Sequence, residues 1–221
     1  MKIVLFGATG NVGQRIAKEA LDRGDEVIGV VRDPADSEPP DSRMTLVKGD
    51  ATDPASVSRV AHGADVVVSA ISPRPDGRGL RAPSLADAAN ALIDGTEQAG
   101  VKRLVVVGGS STLEVSPGVQ LMDTDAVPEA FRAEAREHRE ALSVYRTYTG
   151  DLDWTVISPA AYFQPGERTG TYLTTTDDLP VDEQGESHVS FEDYAVALVD
   201  ELDQSKHPRQ RFAVGNKKNG R

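Results

Sequence analysis

Gly7, Gly10 and Gly13 stand three residues apart, directly behind an apolar run, Ile3-Val4-Leu5-Phe6, and at the head of a stretch with helical periodicity. Glycines so placed between a strand and a helix build a turn that receives a pyrophosphate. The first lets the chain turn sharply off the strand. The second lets backbone N–H groups approach the phosphates. The third lets the helix pack closely on the strand, with its positive N-terminal end aimed at the bound anion. Thr9, Asn11 and Val12 fill the same turn and count with the glycines as cofactor-binding candidates. An ordinary tight turn also uses glycine, so the order strand, turn, helix carries the weight here.

A second apolar run, residues 26–31, ends in Arg32-Asp33, about 20 residues past the glycines. An acidic side chain at this point holds the ribose hydroxyls of NAD, whereas a cation offers bidentate contacts to the 2′-phosphate of NADP. Arg32 reads as the phosphate ligand, and Asp33-Pro34 as turn chemistry. A solvated arginine at a strand end is the plainer alternative. The residue choice favours NADP(H) over NAD(H).

The 221 residues suffice for one well-buried domain spanning 1–221. A net charge of −11 argues against nucleic-acid or anionic-membrane surfaces as partners. The acidity is uneven: after Asp203 come Lys206, Arg209, Arg211, Lys217, Lys218 and Arg221, read as a frayed, solvated terminus. With no cysteine there are no disulfides, thiolate metal sites or cysteine nucleophile. His62, His138, His188 and His207 are scattered without metal-ligand spacing, so no metal is expected. No stretch is apolar enough to span a bilayer, and the N-terminus lacks a signal-peptide layout, which makes a cytoplasmic protein the expectation.

Strand-like runs alternate with helix-like runs along the chain. That pattern predicts an α/β fold, a doubly wound Rossmann-type parallel sheet covered on both faces. Further strands are expected at 44–48, 65–69, 103–107, 153–157 and 211–214, and helices at 12–23, 55–61, 84–99, 129–148 and 191–203. Ser190, three residues before Asp193, resembles a capping box. Loops at 72–82, 108–128 and 158–189 all follow strands. In an open parallel sheet the ligand crevice lies at those strand ends, so the three loops form the substrate side, the first as a mobile flap.

The chain resembles the atypical short-chain dehydrogenase/reductase superfamily, in particular its small NAD(P)H-binding, NmrA-like and flavin-reductase-like branch. The likeness rests on the glycine turn, on Val31-Arg32-Asp33-Pro34, on Lys48-Gly49-Asp50-Ala51-Thr52-Asp53 and on Leu152 through Pro159. Gly166-Glu167-Arg168-Thr169-Gly170 and Ser190-Phe191-Glu192-Asp193-Tyr194-Ala195 add to it. The resemblance implies that Asp50 and Ala51 border the adenine. It implies that Ser69, Ala70 and Ile71 line the ribose side, and that Pro159 and Ala160 back the nicotinamide. Asp50 also reads as a simple turn or capping residue.

One departure matters more. The Tyr-x-x-x-Lys pair of the superfamily's classical members, in which a lysine and the bound cofactor lower the tyrosine's pKa, is missing. Tyr145 is followed four residues later by Thr149, and Tyr148 by Leu152. The superfamily's serine or threonine after the fifth strand is represented by Ser110, though a Gly/Ser-rich turn is an equal reading. His138 is the one titratable residue in the right segment, a stand-in proton donor, although its charge-rich helix reads most simply as a solvated face. Tyr162 and Arg168, in the third long loop, are candidate substrate contacts.

A planar hydride acceptor such as a flavin or quinone fits these features, because it takes its proton from water and needs no tyrosine–lysine pair. A non-catalytic NADP-binding sensor fits the missing pair as well, and a sugar-nucleotide epimerase or dehydratase fits the fold alone. The expected partner is therefore a small-molecule hydride acceptor. Oligomeric state is not legible here.

Overall fold

A computed structural model describes residues 1–73 and 84–217 of the chain. Most of the 72–82 loop, read above as a flap, and the last residues of the tail lie outside the described residues. In chain order the strands are β1 (Lys2–Phe6), β2 (Glu26–Val31), β3 (Thr45–Lys48), β4 (Val66–Ser69) and β5 (Arg103–Val107). There follow β6 (Glu114–Ser116), β7 (Val119–Gln120), β8 (Asp153–Pro159), β9 (Tyr162–Gln164), β10 (Tyr172–Thr175), β11 (His188–Ser190) and β12 (Gln210–Asn216). The helices are α1 (Asn11–Asp22), α2 (Pro54–Ala61), α3 (Leu85–Gln98), α4 (Arg132–Thr147) and α5 (Phe191–Gln204).

Eight strands form one sheet in the order β10-β12-β8-β5-β4-β1-β2-β3. Every neighbour pair is parallel except β10 and β12. This is the doubly wound Rossmann-type sheet that the alternation predicts. Chain order reverses at β1, which pairs with β2 on one side and β4 on the other, so the crevice opens at the carboxyl ends of β1 and β4.

Residues in register across parallel strands point to the same face. Leu5, Val68, Val105 and Ile157 pack under α1 and α5 with Ala17 and Leu198. Phe6, Val67, Leu104 and Trp154 pack under α2, α3 and α4 with Val57, Leu92 and Leu142. Strands buried on both faces explain the near-continuous valine and leucine runs. Each such side chain contributes about 1.5–3 kcal/mol of hydrophobic stabilisation.

Two helix entries follow local capping rules, and the α5 entry departs from them. Asp53 accepts from the Ala55 amide (3.1 Å), with Pro54 at the first helical position of α2. Ser84 and Asp87 form a complete capping box on α3. At α5 only half of the expected box exists. Ser190 Oγ accepts from the Asp193 amide (3.0 Å), but the Asp193 carboxylate accepts from the Thr169 and Gly170 amides (2.8 Å each) and from the Thr169 hydroxyl (2.7 Å). The Gly166–Gly170 segment is thus stapled to α5.

The expected helix over 129–148 is a 3-10 turn at Glu129–Phe131 followed by α4 from Arg132. The tail also needs correction. The strand expected at 211–214 is β12, an interior strand between β8 and β10, but Arg211, read with the solvated tail cations, is buried in it.

Candidate nucleotide cradle and adjoining cavity

The glycine turn has the geometry its spacing demands. Gly7 takes a positive φ (+78°), and a Cβ there would lie 2.6 Å from the Ala70 carbonyl oxygen, so β1 and β4 meet backbone to backbone. A Cβ on Gly13 would come 2.1 Å from the Gly7 carbonyl oxygen, which ties α1 closely to the turn. Gly10 is extended (φ −74°, ψ 164°) and donates its amide to the Gly7 carbonyl (3.0 Å). No side chain caps α1 and no acidic residue sits in its first turn. Its N-terminal amides and positive dipole end are therefore uncompensated, the condition an anion site requires. Thr9 and Asn11 are exposed and lend only their carbonyls, to Gln14 and Arg15, while half-buried Val12 packs on the core. These residues fit a dinucleotide pyrophosphate.

Arg32, at the end of β2, is exposed and has no hydrogen bond or ion pair among the described residues. Asp33 is engaged locally: its carboxylate accepts from the Ala35 amide (3.1 Å) and caps a 3-10 turn at Pro34–Asp36. The free charge at this edge is a cation. Past β3, Asp50 Oδ1 accepts from the Thr52 amide (2.9 Å) and hydroxyl (2.7 Å), which is the turn role. Its other oxygen is without a partner among the described residues. Ala51 beside it is half-buried.

At the end of β4, Ser69 is fully buried, whereas Ala70 and Ile71 are partly exposed. The Ser69 hydroxyl lines a cavity of about 30 Å³, room for a water-sized group, between α3, α4 and the ends of β4, β5 and β8. Ile71, Gly109, His138, Tyr145 and Ser158 share that lining. Among the described residues neither Ser69 Oγ nor Ser158 Oγ has a hydrogen-bond partner. Pro159 and Ala160, which follow Ser158, are buried at the end of β8.

His138 is not on a solvated face. Its side chain is 12% exposed, with Nε2 3.8 Å from Glu134 Oε1. Its ring lies so close to Gly109 that a Cβ there would be 2.7 Å from the imidazole Cγ. Ser110 opens the next turn, a 3-10 segment through Thr112, and its hydroxyl is without a partner among the described residues. Ser110 thus follows in the chain the glycine against which the His138 ring packs. Tyr145 is fully buried beneath the cavity, and burial pushes its hydroxyl above the ordinary tyrosine range.

The two substrate candidates lie elsewhere. Tyr162 on β9 is 63% exposed and stacks on His188 (centroids 4.7 Å). Arg168 donates Nε and Nη2 to Glu19 (2.8 and 2.9 Å) and lines a separate groove along α1, away from the cavity. Thr112 and Ser158 also line the cavity but carry no spacing signal that sequence reasoning uses.

Strand order, bare helix terminus and glycine cradle together define a dinucleotide-binding Rossmann domain. The chain belongs to the NAD(P)H-binding family, whose model matches residues 7–205, as the resemblance to the small NAD(P)H-binding reductases implies. Three solved structures are similar over nearly the whole length. A Burkholderia pseudomallei protein is 46% identical (TM-score 0.87, 97% of this chain and 99% of that one). A Bacteroides thetaiotaomicron protein is 38% identical (TM-score 0.87, 100% and 99%). A Streptococcus pneumoniae protein is 31% identical (TM-score 0.83, 98% and 100%). Their names are respectively exported protein, epimerase and NADH-flavin reductase, each with the qualifier putative. They agree on fold and differ on reaction. Among the described residues no helix is long and apolar enough to cross a membrane.

Proposed function

We propose that the protein is an NADPH-dependent reductase that passes hydride to a small planar acceptor, a flavin or a quinone. When bound, the reduced nicotinamide supplies the hydride. The chain's residues bind and orient. The Gly7–Gly13 turn and the α1 N-terminus hold the pyrophosphate, and Arg32 takes the 2′-phosphate. Asp50 and Ala51 border the adenine, Ala70 and Ile71 the ribose, and Pro159 and Ala160 back the nicotinamide. Ser110, with its free hydroxyl, donates to an acceptor oxygen at the mouth of the cavity.

One observation carries the reading: a glycine cradle adjoins a site that lacks the Tyr-x-x-x-Lys pair. Tyr145 is buried with its hydroxyl held protonated, and the chain has no lysine four residues after it. A planar ring that takes its proton from water needs only good stacking against the nicotinamide. The name of the Streptococcus relative supports the same class. We place the protein in the cytoplasm, where reduced nicotinamide is supplied, and the Burkholderia relative's name makes cell fractionation the check.

The test is nicotinamide absorbance during NADPH consumption with a panel of flavins, quinones and aldehydes, with NADH run in parallel. Turnover with a flavin or quinone, faster with NADPH, is expected. Silence across the panel from protein shown to bind NADPH would overturn the reductase reading in favour of a nucleotide sensor. Turnover confined to aldehydes would overturn the planar acceptor.

A further inference from the structure

We propose that Arg211 is a positioning residue that fixes the Ser110 turn and the Gly109–His138 contact from the neighbouring strand β12. This rests on the reading of that turn as part of the acceptor site. Arg211 lies on β12, opposite Val156 of β8, and is 5% exposed. Its Nε donates to Asp177 Oδ1 (2.8 Å), and Nη2 donates to the same oxygen. Nη1 points the other way, to Thr112 Oγ1 (3.3 Å) and the Thr112 carbonyl (3.5 Å).

Thr112 is itself buried, and its hydroxyl donates to the Gly109 carbonyl (3.3 Å). Gly109 is the residue against which the His138 ring packs. Asp177 also accepts from Arg146 of α4 (2.6 Å), and its carbonyl accepts the Glu114 amide (2.8 Å). One guanidinium therefore joins β12, the segment after β10, the Ser110–Thr112 turn and, through Asp177, the helix that carries His138.

The chemistry explains why an arginine stands here. A buried guanidinium is costly to desolvate unless its donors are satisfied, and an apolar side chain would fill the space without that cost. What an apolar side chain lacks is a rigid fork whose arms face two partners at a fixed angle. Lysine keeps the charge but is a single point, so it can face Asp177 or Thr112 and not both. The arrangement ties a turn in the middle of the chain to a strand near its end.

The test is a double-mutant cycle between Arg211→Lys and Ser110→Ala, read as NADPH oxidation with the best acceptor, together with amide hydrogen exchange. Arg211→Lys is expected to lower kcat about tenfold while leaving the NADPH KM within about twofold, since the cradle lies on other strands. In the Ser110→Ala background the same change should cost little more. Full additivity of the two losses, or a rise in NADPH KM with kcat unchanged, overturns the positioning role.

Exchange gives the answer whether or not any acceptor turns over. Amides of 110–114 should exchange faster in Arg211→Lys, with those of α1 unchanged. Equal protection in both proteins overturns the tether even if the reductase reading stands. Conversely, faster exchange in a protein inactive with every acceptor keeps the tether and removes only the reductase reading. Thr112→Val, which deletes the hydroxyl link and keeps Arg211, should reproduce the exchange change should Arg211→Lys fold poorly.

Discussion

Among the described residues Arg32 has no hydrogen-bond or ion-pair partner. An exposed guanidinium at the end of the strand beside the cradle is what the proposed 2′-phosphate contact requires. Hydrogen bonds to charged groups are worth about 1.5–3 kcal/mol each. Arg32→Ala should therefore weaken NADPH binding by about tenfold to a hundredfold and leave NADH binding nearly unchanged. Fluorescence titration of both nucleotides measures this, and equal weakening would remove the 2′-phosphate from Arg32. At this scale the sequence was legible wherever the reason was local. Gly7 and Gly13 are required by contacts within the turn and with the next strand end, so their spacing announces them. Arg211 could not be read this way. It stands in a run of tail cations, and the carboxylate that buries it is 34 residues away in the chain. His138 likewise sits among charged neighbours, and only the approach of Gly109 shows that its ring points inward.

Elements were legible in proportion to their burial. The interior strands β2, β4 and β5 need apolar residues on both faces, and that requirement writes itself as a valine-rich run. The short strands β6, β7, β9, β10 and β11 leave no such mark. Tyr172-Leu173-Thr174-Thr175 is partly exposed and is a strand because β12 offers it an antiparallel edge. The α5 entry shows the limit of a local motif. Ser190 and Asp193 have capping-box spacing, yet the carboxylate answers to a tertiary partner, the 166–170 segment. Glu192 adds a second staple by accepting the Gly166 amide (2.8 Å). Asp193→Ala leaves the Thr169 and Gly170 amides without their acceptor. A loss of about 3 kcal/mol is expected, a fall in Tm of roughly 10 °C. Differential scanning calorimetry decides it, and a shift below about 2 °C would show that the staple contributes nothing to stability.

For the whole molecule, ion pairs that bridge elements set the response to acid. Glu19 on α1 is held below the ordinary glutamate range by the hydrogen bond from Arg168, which outweighs burial, and by Arg23. Burial raises Asp177 and Glu192, but hydrogen bonds outweigh it, from Arg211 to Asp177 and from the Gly166 amide to Glu192, and both are held low. A depressed carboxylate stabilises the fold fully above its unfolded value, near 4, and that stability fades as pH falls toward the folded value. Tm should be nearly flat from pH 7 to 5 and drop steeply below pH 4.5. A melting series across that range measures it, and a flat profile down to pH 3 would mean these pairs contribute no net stability. The order of the sheet has a further consequence for a chain still on the ribosome. β1, β2, β3 and β4, with the glycine turn and Arg32, are made first and need nothing that comes later to pair with one another. β10 is made before the one strand that carries it, and the outer edge of β8 waits for that same strand. A nascent chain thus owns its glycine turn and Arg32 well before β12 brings Arg211 beside the Ser110 turn.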